Sequence, residues 1–234
     1  MSKEPLDLVT GATSPVGLAI LKALLEQGFS PVASGRARVR PPSVPPACQW
    51  LSMDLTSPIR QQIPPSLPWQ DHQIRSVYHL AHPTFHRHDP DPLSLLPAIR
   101  GLHDLHQELL PHLGNGSSLL FLLPDMDRLP VSGYTSARIY LGALKGMIRQ
   151  WKIELSPKGI FVGGFSMIHV PGHNTPNMNA SILEKLKQAS STGRLPDAHE
   201  IAQFFLALAR FSETGIQWPS DLLISLDNPS LFCP

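Results

Sequence analysis

The chain has 234 residues, of which 42% are hydrophobic, so it can bury one sizeable core and is predicted to form a single domain over residues 1–234. Its 19 Lys and Arg balance 18 Asp and Glu without a block of either sign, which excludes an electrostatic attraction to nucleic acid or to an anionic membrane surface. The two cysteines lie far apart and the chain starts without an apolar leader, which predicts a cytoplasmic protein without disulfides. The chain also lacks an apolar run of about 18 residues, so we predict no membrane span.

Strand and helix signals alternate along the chain. Short apolar runs predict strands at 6–12, 30–34, 49–54, 75–81, 118–123, 160–167 and 221–226. Helical spacing of apolar residues predicts helices at 16–28, 91–113, 136–155, 181–190 and 197–211. Two proline clusters, at 41–47 and 58–68, favour extended connections with little helix. Near-continuous apolar strands between amphipathic helices are typical of a doubly wound α/β fold, with a parallel sheet between two helical layers.

The turn between the first strand and the first helix has the sequence TGATSPVG, at residues 10–17. Glycine allows a tight turn, and the backbone N–H groups at the start of the helix can hold a pyrophosphate. Glycine also suits any close strand-to-helix connection. The motif alone therefore leaves both interpretations open.

Several segments together resemble the short-chain dehydrogenase/reductase family over nearly the whole chain. TGATSPVG resembles the family's TGxxxGxG turn with Pro15 at the middle glycine, and MDL places Asp54 where the family has an adenine-contacting Asp. GRLPDAHEIAQFFLAL at 193–208 and TGIQWPSDLLISLD at 214–227 resemble the family's late helix and last strand. The resemblance implies a Rossmann-type fold, a nicotinamide dinucleotide cofactor and a substrate lid, here at 169–192.

The resemblance also implies a set of cofactor-binding residues. Arg36 and Arg38 follow the second strand, where an acidic residue would accept ribose hydroxyls, and they suit the 2′-phosphate of NADP(H) instead. Solvated arginines in a loop are the alternative interpretation. The predicted cofactor-binding residues are Gly11, Thr13, Ser14, Val16, Gly17, Arg36, Asp54, Leu55 and Ala81.

The family's proton relay of Tyr, Lys, Ser and Asn is missing from the matching positions. Alignment of GALKGMIRQWKIELSPKGI, at 142–160, with the family's helix and following turn puts the Tyr at Ala137 and the Lys at Leu141. The same alignment puts the Ser at Pro124, and an independent anchor in the preceding helix puts the Asn at Ala98. None of these side chains can transfer a proton. We therefore predict no catalytic residue of the family's type.

Other polar residues near these positions are candidate replacements. They are Tyr134 with Arg138, Tyr140 with Lys145, and Asp125 or Ser132 in place of the Ser. Tyr140 and Lys145 do not have the helical phase of the family's Tyr and Lys. Tyr134 and Arg138 have the family's four-residue spacing but would need a three-residue slip of the alignment. Four histidines lie at short spacing in HLAHPTFHRHD, at 79–89, but no cysteine accompanies them. We interpret them as polar residues beside a cleft and predict no metal site.

Three functions remain open on the sequence. The favoured one is a non-catalytic or regulatory partner, which is either a subunit that pairs with itself or with a catalytic paralogue or a module that senses NADP(H), and the sequence leaves open whether a dinucleotide binds. The alternatives are an NADP-dependent carbonyl reductase with a displaced Tyr134 or Tyr140, and a non-redox biosynthetic enzyme that uses the same cleft. In the family, the helices that match 91–113 and 136–155 pair across a two-fold axis. The resemblance therefore implies a homo- or hetero-oligomer through these helices.

Overall fold

The computed structural model describes residues 5–64, 68–126, 132–167, 180–190, 193–214 and 223–225. Within these ranges, seven parallel strands form one sheet in the order β3-β2-β1-β4-β5-β6-β7. The strands are β1 Pro5–Thr10, β2 Val32–Gly35, β3 Gln49–Ser52, β4 Gln73–His79, β5 Leu113–Pro124, β6 Phe161–Met167 and β7 Leu223–Ser225. The helices are α1 Pro15–Glu26, α2 Ile59–Gln62, α3 Leu96–Leu109, α4 Thr135–Leu155, α5 Ala180–Ala189 and α6 Ala198–Glu213. The predicted doubly wound parallel sheet is confirmed.

Helices cover both faces of the sheet and make the structure three-layered. On one face, α3 and α4 pack against a core that includes Leu119 and Phe121 of β5. On the other face, α1 and α6 pack against a core that includes Leu120 and Leu122 of the same strand. Successive side chains of a strand point to opposite faces, so a strand between two helical layers must be apolar at nearly every position.

Ser14 and Pro15 determine where α1 begins. Ser14 is the N-cap residue, and its Oγ accepts a hydrogen bond from the N–H of Gly17 at 3.1 Å. Pro15 occupies the first helical position, where a backbone N–H has no partner inside the helix and its fixed φ suits the helix. Proline therefore fits this turn, although it removes one donor.

The described residues of the two proline clusters contain little helix, as predicted. Residues 36–48, between β2 and β3, form no α-helix, and the buried side chains of Val44 and Cys48 attach this loop to the core under α1 and α6. Of the described residues between β3 and β4, only the four of α2 are helical. The adenine side of the sheet, in the terms of the family resemblance, is therefore covered by a loop.

The helix predicted at 91–113 is wrong at both ends. The side chain of Asp91 accepts a hydrogen bond from the N–H of Leu93 at 2.9 Å, and its carbonyl accepts one from the N–H of Ser94 at 3.2 Å. These bonds form turns, so α3 begins only at Leu96. At the other end a short 3-10 turn, 110–112, follows α3 because Pro111 cannot continue the α-helical hydrogen bonds. β5 consequently starts at residue 113, five residues earlier than predicted.

The carboxyl-terminal helices agree with the sequence patterns. The side chain of Asp197 accepts a hydrogen bond from the N–H of Glu200 at 2.8 Å, and Glu200 Oε2 accepts one from the N–H of Asp197 at 2.9 Å. This capping box starts α6. Of the predicted lid at 169–192, only the part from residue 180 to 190 lies within the described residues, and it contains α5.

None of the described helices is both long and apolar enough to cross a lipid bilayer.

Candidate functional site

Four adjacent strands end at one edge of the sheet and bring the predicted cofactor residues together. β1 is followed by Gly11, β2 by Arg36, β3 by Asp54 and β4 by Ala81. Because these parallel strands are neighbours in the order β3-β2-β1-β4, the four residues form a row at their carboxyl ends. The strand order reverses between β1 and β4, which is where doubly wound sheets bind ligands. We call this row, together with the turn at 11–17, the strand-end site.

Two glycines allow the turn to pack closely against the end of β4. Gly11 has a φ of +66°, and a Cβ atom there would lie 2.8 Å from the backbone N of Ala81. A Cβ atom on Gly17 would lie 2.7 Å from the carbonyl oxygen of Gly11. A larger residue at either position would push backbone against backbone, so the turn requires glycine at 11 and 17.

The turn uses some of its own N–H groups and leaves others available. The hydrogen bonds inside the protein are Ala12 N–H to Ser34 O (3.0 Å), Ser14 N–H to Gly11 O (3.0 Å) and Gly17 N–H to Ser14 Oγ (3.1 Å). Among the described residues, the N–H groups of Thr13 and Val16 have no such partner. Both lie at the positive end of the α1 dipole. These two N–H groups therefore remain available to an acceptor from outside the turn.

The Asp54 side chain is partly committed to a local turn. Its Oδ1 accepts hydrogen bonds from the N–H and the hydroxyl of Thr56, at 3.0 and 2.8 Å. Gln62 Oε1 accepts the N–H of Asp54 at 2.6 Å, which anchors the backbone here to α2. Within the described part of the chain, Oδ2 of Asp54 has no hydrogen-bond partner. One oxygen of this carboxylate therefore stays available as a hydrogen-bond acceptor.

The loop after β2 is held in place while its arginines reach solvent. Trp50 Nε1 donates a hydrogen bond to the carbonyl oxygen of Ala37 at 3.0 Å. The Trp50 ring packs on Gly35, where a Cβ atom would lie 2.9 Å from Cη2. The side chains of Arg36 and Arg38 are exposed. The loop therefore presents two exposed guanidinium groups at the end of β2.

The four positions that the resemblance assigns to the proton relay carry no transferable proton. Ala98, Ala137 and Leu141 are each at most 3% exposed, and Pro124 is the last residue of β5. Ala98 and Leu141 belong to the core under α3 and α4. These four positions therefore offer only carbon atoms in their side chains, and three of them are buried.

Tyr140, which is buried, and His82, which is partly buried, form a hydrogen-bonded pair beside these positions. His82 Nε2 lies 2.5 Å from the carbonyl oxygen of Leu122, and because a carbonyl only accepts, Nε2 carries the proton. In the neutral ring Nδ1 is then an acceptor, and the Tyr140 hydroxyl, 3.2 Å away, donates to it. Tyr140 is 1% exposed, and burial raises its pKa well above the ordinary value. Tyr140 therefore stays protonated and out of reach of a substrate.

His79 lies deeper in the same region. It is 1% exposed, and its Nδ1 shares a 2.8 Å hydrogen bond with Thr10 Oγ1 across the junction of β4 and β1. Its Nε2 is buried without a hydrogen-bond partner among the described residues. Burial first, and then the neighbouring His82, lowers the pKa of His79 to about 3. The ring is therefore neutral in the folded protein at pH 7. Its hydrogen bond to Thr10 links β4 to β1.

The other candidate tyrosine, Tyr134, lies at the start of α4. Tyr134 is the N-cap residue and is only partly buried, unlike Tyr140. Arg138 is exposed, and its Nη2 donates a hydrogen bond to the carbonyl oxygen of Met126 at 2.9 Å.

The candidate Asp125 follows β5. It is 5% exposed, and its N–H donates a hydrogen bond to the carbonyl oxygen of Met167 at 2.8 Å, which connects the end of β5 to β6.

The interpretation of the four histidines as polar residues beside a cleft is wrong for His79, which is buried at the end of β4. His79 belongs to β4 and His82 is held by Tyr140, whereas His86 and His88 are exposed on the following segment. One sequence signal was available: HLAH directly continues an apolar strand, so its first residue had to enter the core. Within the ranges that the structure describes, no group of three or more His, Cys, Asp or Glu is arranged to hold a metal ion.

Solved structures of short-chain dehydrogenases share this fold. A short-chain dehydrogenase/reductase from Serratia marcescens matches with a TM-score of 0.76 and 20% sequence identity, over 96% of this chain and 96% of that chain. A short-chain dehydrogenase family protein from Francisella tularensis matches with a TM-score of 0.75 and 15% identity, over 97% of both chains. A glucose/ribitol dehydrogenase from Brucella melitensis matches with a TM-score of 0.68 and 18% identity, over 89% of this chain and 91% of that chain. The sequence matches no protein-family model and no curated protein.

Proposed function

We propose that this chain, which has the short-chain dehydrogenase/reductase fold, lacks the redox activity of that family and acts as a non-catalytic or regulatory subunit. In this proposal it binds NADP(H) at the strand-end site and associates with itself or with a catalytic paralogue. The single observation that carries the proposal is the buried Tyr140 hydroxyl, bonded to His82, beside relay positions whose side chains contain only carbon. A phenol without access to substrate cannot act as the general acid of carbonyl reduction.

The cofactor part of the proposal is supported by the donors and charges that the strand-end site retains. The N–H groups of Thr13 and Val16 lie at the α1 dipole, and one oxygen of Asp54 is without a partner in the described residues. Arg36 is exposed at the end of β2, where a phosphate on the ribose would be reached. These groups favour NADP(H) over NAD(H).

NADPH titration tests the cofactor and the missing activity together. We expect saturable binding in the NADPH fluorescence and no NADPH oxidation above background with a panel of small ketones and aldehydes. Arg36→Ala should weaken NADPH binding about tenfold and leave NADH binding unchanged, because it removes only a charge-assisted bond to the 2′-phosphate. Lys22→Ala, at an exposed cation on α1, is the matched control and should change neither.

Two outcomes would contradict parts of this proposal. NADPH oxidation that Tyr134→Phe abolishes and Tyr140→Phe leaves intact would instead support a carbonyl reductase with a displaced tyrosine, which the partial exposure of Tyr134 would allow. A lack of NADPH binding up to millimolar concentrations would remove the cofactor and leave a purely structural subunit.

The proposed subunit contact is the outer face of α4 together with the start of α3. Ile139 and Ile153 are 36% and 65% exposed on α4, and Leu96 is 40% exposed on α3. Between the two isoleucines, Gly142 and Gly146 leave open space, since a Cβ atom on either would have no neighbour within 4 Å. Small residues allow a second helix to approach closely, and exposed apolar side chains gain by burial.

Ile153→Glu should convert an oligomer into a monomer, because a carboxylate at the centre of an apolar contact loses its water without gaining a partner. Light scattering after size-exclusion chromatography measures the mass directly. Phe211→Glu is the matched control, since Phe211 is another exposed apolar residue, 45% exposed on α6, outside the proposed contact. A monomeric unmodified protein that also purifies without a related subunit from its native source would refute the proposed association.

A further inference from the structure

A cavity of about 420 Å³ lies at the amino-terminal edge of the sheet, away from the strand-end site. Its lining residues are Gln27, Phe29, Arg75, Tyr78, Leu206, Ala209 and Arg210. They come from the carboxyl end of α1 and the loop after it, from β4 and from the last turns of α6. Arg75, the charged residue from β4, precedes Ala81 of the strand-end site by six residues, roughly 20 Å of extended chain.

Arg75 is fixed in position by its neighbours. Its Nε donates to Asp7 Oδ1 at 3.1 Å, and its Nη2 donates to Asp7 Oδ2. The Asp7 side chain is 1% exposed, and the Arg75 side chain is 15% exposed. The guanidinium carbon also lies 3.3 Å from the centroid of the Phe29 ring, a cation–π contact. In the described part of the chain Nη1 has no partner, so a preformed donor remains on a residue that lines the cavity.

Arg210 adds a second positive charge to the cavity. Its Nη2 donates a hydrogen bond to Gln27 Oε1 at 2.9 Å, which uses the acceptor atom of that amide. No described residue accepts from Arg210 Nε and Nη1 or from Gln27 Nε2. The carboxylate of Asp7 is already bound to Arg75. The charged and amide groups of the lining thus offer donors, and they favour an anion.

The rest of the lining is apolar. Phe29 and Tyr78 contribute aromatic rings, and Leu206 and Ala209 contribute aliphatic carbon from α6. Sites with a mostly apolar wall and a few converging polar groups bind organic ligands in preference to bare ions. The volume is within the range of small-molecule sites, about 300–1,000 Å³.

We propose that this Arg75–Arg210 cavity is a second binding site, for a small organic acid whose carboxylate is held by Arg210 and Arg75 Nη1 and whose aromatic or branched body lies on Phe29 and Leu206. The site needs neither NADP(H) nor a partner subunit, so it is independent of the function proposed above. A regulatory subunit would gain an effector site away from the cofactor.

Titration of the full chain with 2-naphthoate, followed by amide chemical shifts in two-dimensional NMR, tests the site. We expect saturable shifts at Gln27, Phe29 and Ala209, with a dissociation constant of about 1 mM or below. The neutral 2-naphthamide should bind at least about tenfold more weakly, because it lacks the charge that the arginines neutralise. Inorganic phosphate, which has no apolar body, should not shift these amides at the same concentration.

Two substitutions at exposed residues separate a specific site from general attraction. Arg210→Gln should weaken 2-naphthoate binding about tenfold. Gln27→Glu should abolish it, because the new carboxylate would pair with Arg210 and repel the ligand. Arg149→Gln, at an exposed arginine on α4, is the control and should leave the affinity unchanged. Shifts confined to other regions, equal binding of acid and amide, or unaltered affinity in Gln27→Glu and Arg210→Gln would each overturn the proposal.

Discussion

Acidification from pH 7 to pH 5 should lower the free energy of unfolding by roughly 4 kcal/mol, because two buried histidines must stay neutral in the folded state. Burial and the nearby His82 lower the pKa of His79 to about 3, and burial and the nearby His103 lower the pKa of His106 to about 4, both from 6.5. A lowered folded-state pKa means that the unfolded chain binds protons first. The stability is therefore complete above pH 6.5 and is lost as the pH falls below it.

Urea unfolding followed by circular dichroism at pH 7, 6 and 5 measures this loss. A decrease of roughly 4 kcal/mol is a large share of the 5–15 kcal/mol typical of a domain. His106→Phe should halve the pH dependence, since the His106 ring stacks on Trp151 with centroids 3.9 Å apart and Phe retains that contact. It should also stabilise the protein at pH 7 slightly, because His106 Nε2 is buried without a partner among the described residues.

His86→Gln is the control for the acid experiment. His86 is exposed, and it is not among the groups that lower the pKa of His79 or of His106, so its replacement should leave the pH dependence as it is. A pH dependence that is the same in His106→Phe as in the unmodified protein would show that His106 does not contribute.

Gly101→Ala should destabilise the protein by about 3 kcal/mol or more. A Cβ atom at residue 101 would overlap the carbonyl oxygen of Leu55 and lie 2.7 Å from its carbonyl carbon. Both are backbone atoms of the segment that follows β3, so they cannot rotate away as a side chain could. The higher helix propensity of alanine, about 0.5–1 kcal/mol, is too small to compensate.

Gly142→Ala is the matched control, because both glycines are helical but only Gly101 is crowded. A Cβ atom on Gly142 would meet nothing within 4 Å, so this change should stabilise the monomer by about 0.5–1 kcal/mol. Both substitutions are best compared by urea unfolding in the Ile153→Glu background, where subunit association does not contribute. Gly101→Ala should also weaken NADPH binding, since Leu55 lies in the strand-end site. Equal stability of the two variants would contradict the close approach of α3 to Leu55.

The boundaries of α3 were predicted wrongly because individual hydrogen bonds, and not the apolar periodicity, determine where this helix begins and ends. Apolar spacing over 91–113 has a helical period, yet the side chain of Asp91 takes the N–H of Leu93 and starts a turn. Pro111 limits the other end. Such competition is decided by a few side-chain to backbone bonds, which a periodicity that averages over three turns does not register.

The predicted cofactor residues lie at one edge of the sheet because strands that alternate with helices run parallel. The carboxyl ends of parallel strands meet at the same edge. The positions without a proton-transferring side chain were inferred from the resemblance to the family, and the structure places three of them in the interior. The partnership of His82 with Tyr140 was not predictable, since the residues are 58 positions apart and their contact depends on how α4 lies over β4 and β5. The Asp7–Arg75 pair, 68 positions apart, is of the same kind.

The sequence by itself determined the doubly wound fold, the glycine turn before α1 and the replacement of helix by proline-rich loop after β2. These depend on hydrophobic period, on glycine and proline backbone limits and on caps, all of which act within a few residues. Only the tertiary structure decided which hydroxyl is sealed, which histidines are neutral and where two arginines converge. Burial and long-range contact set these properties, because the cost of removing a charge or a polar atom from water depends on everything packed around it.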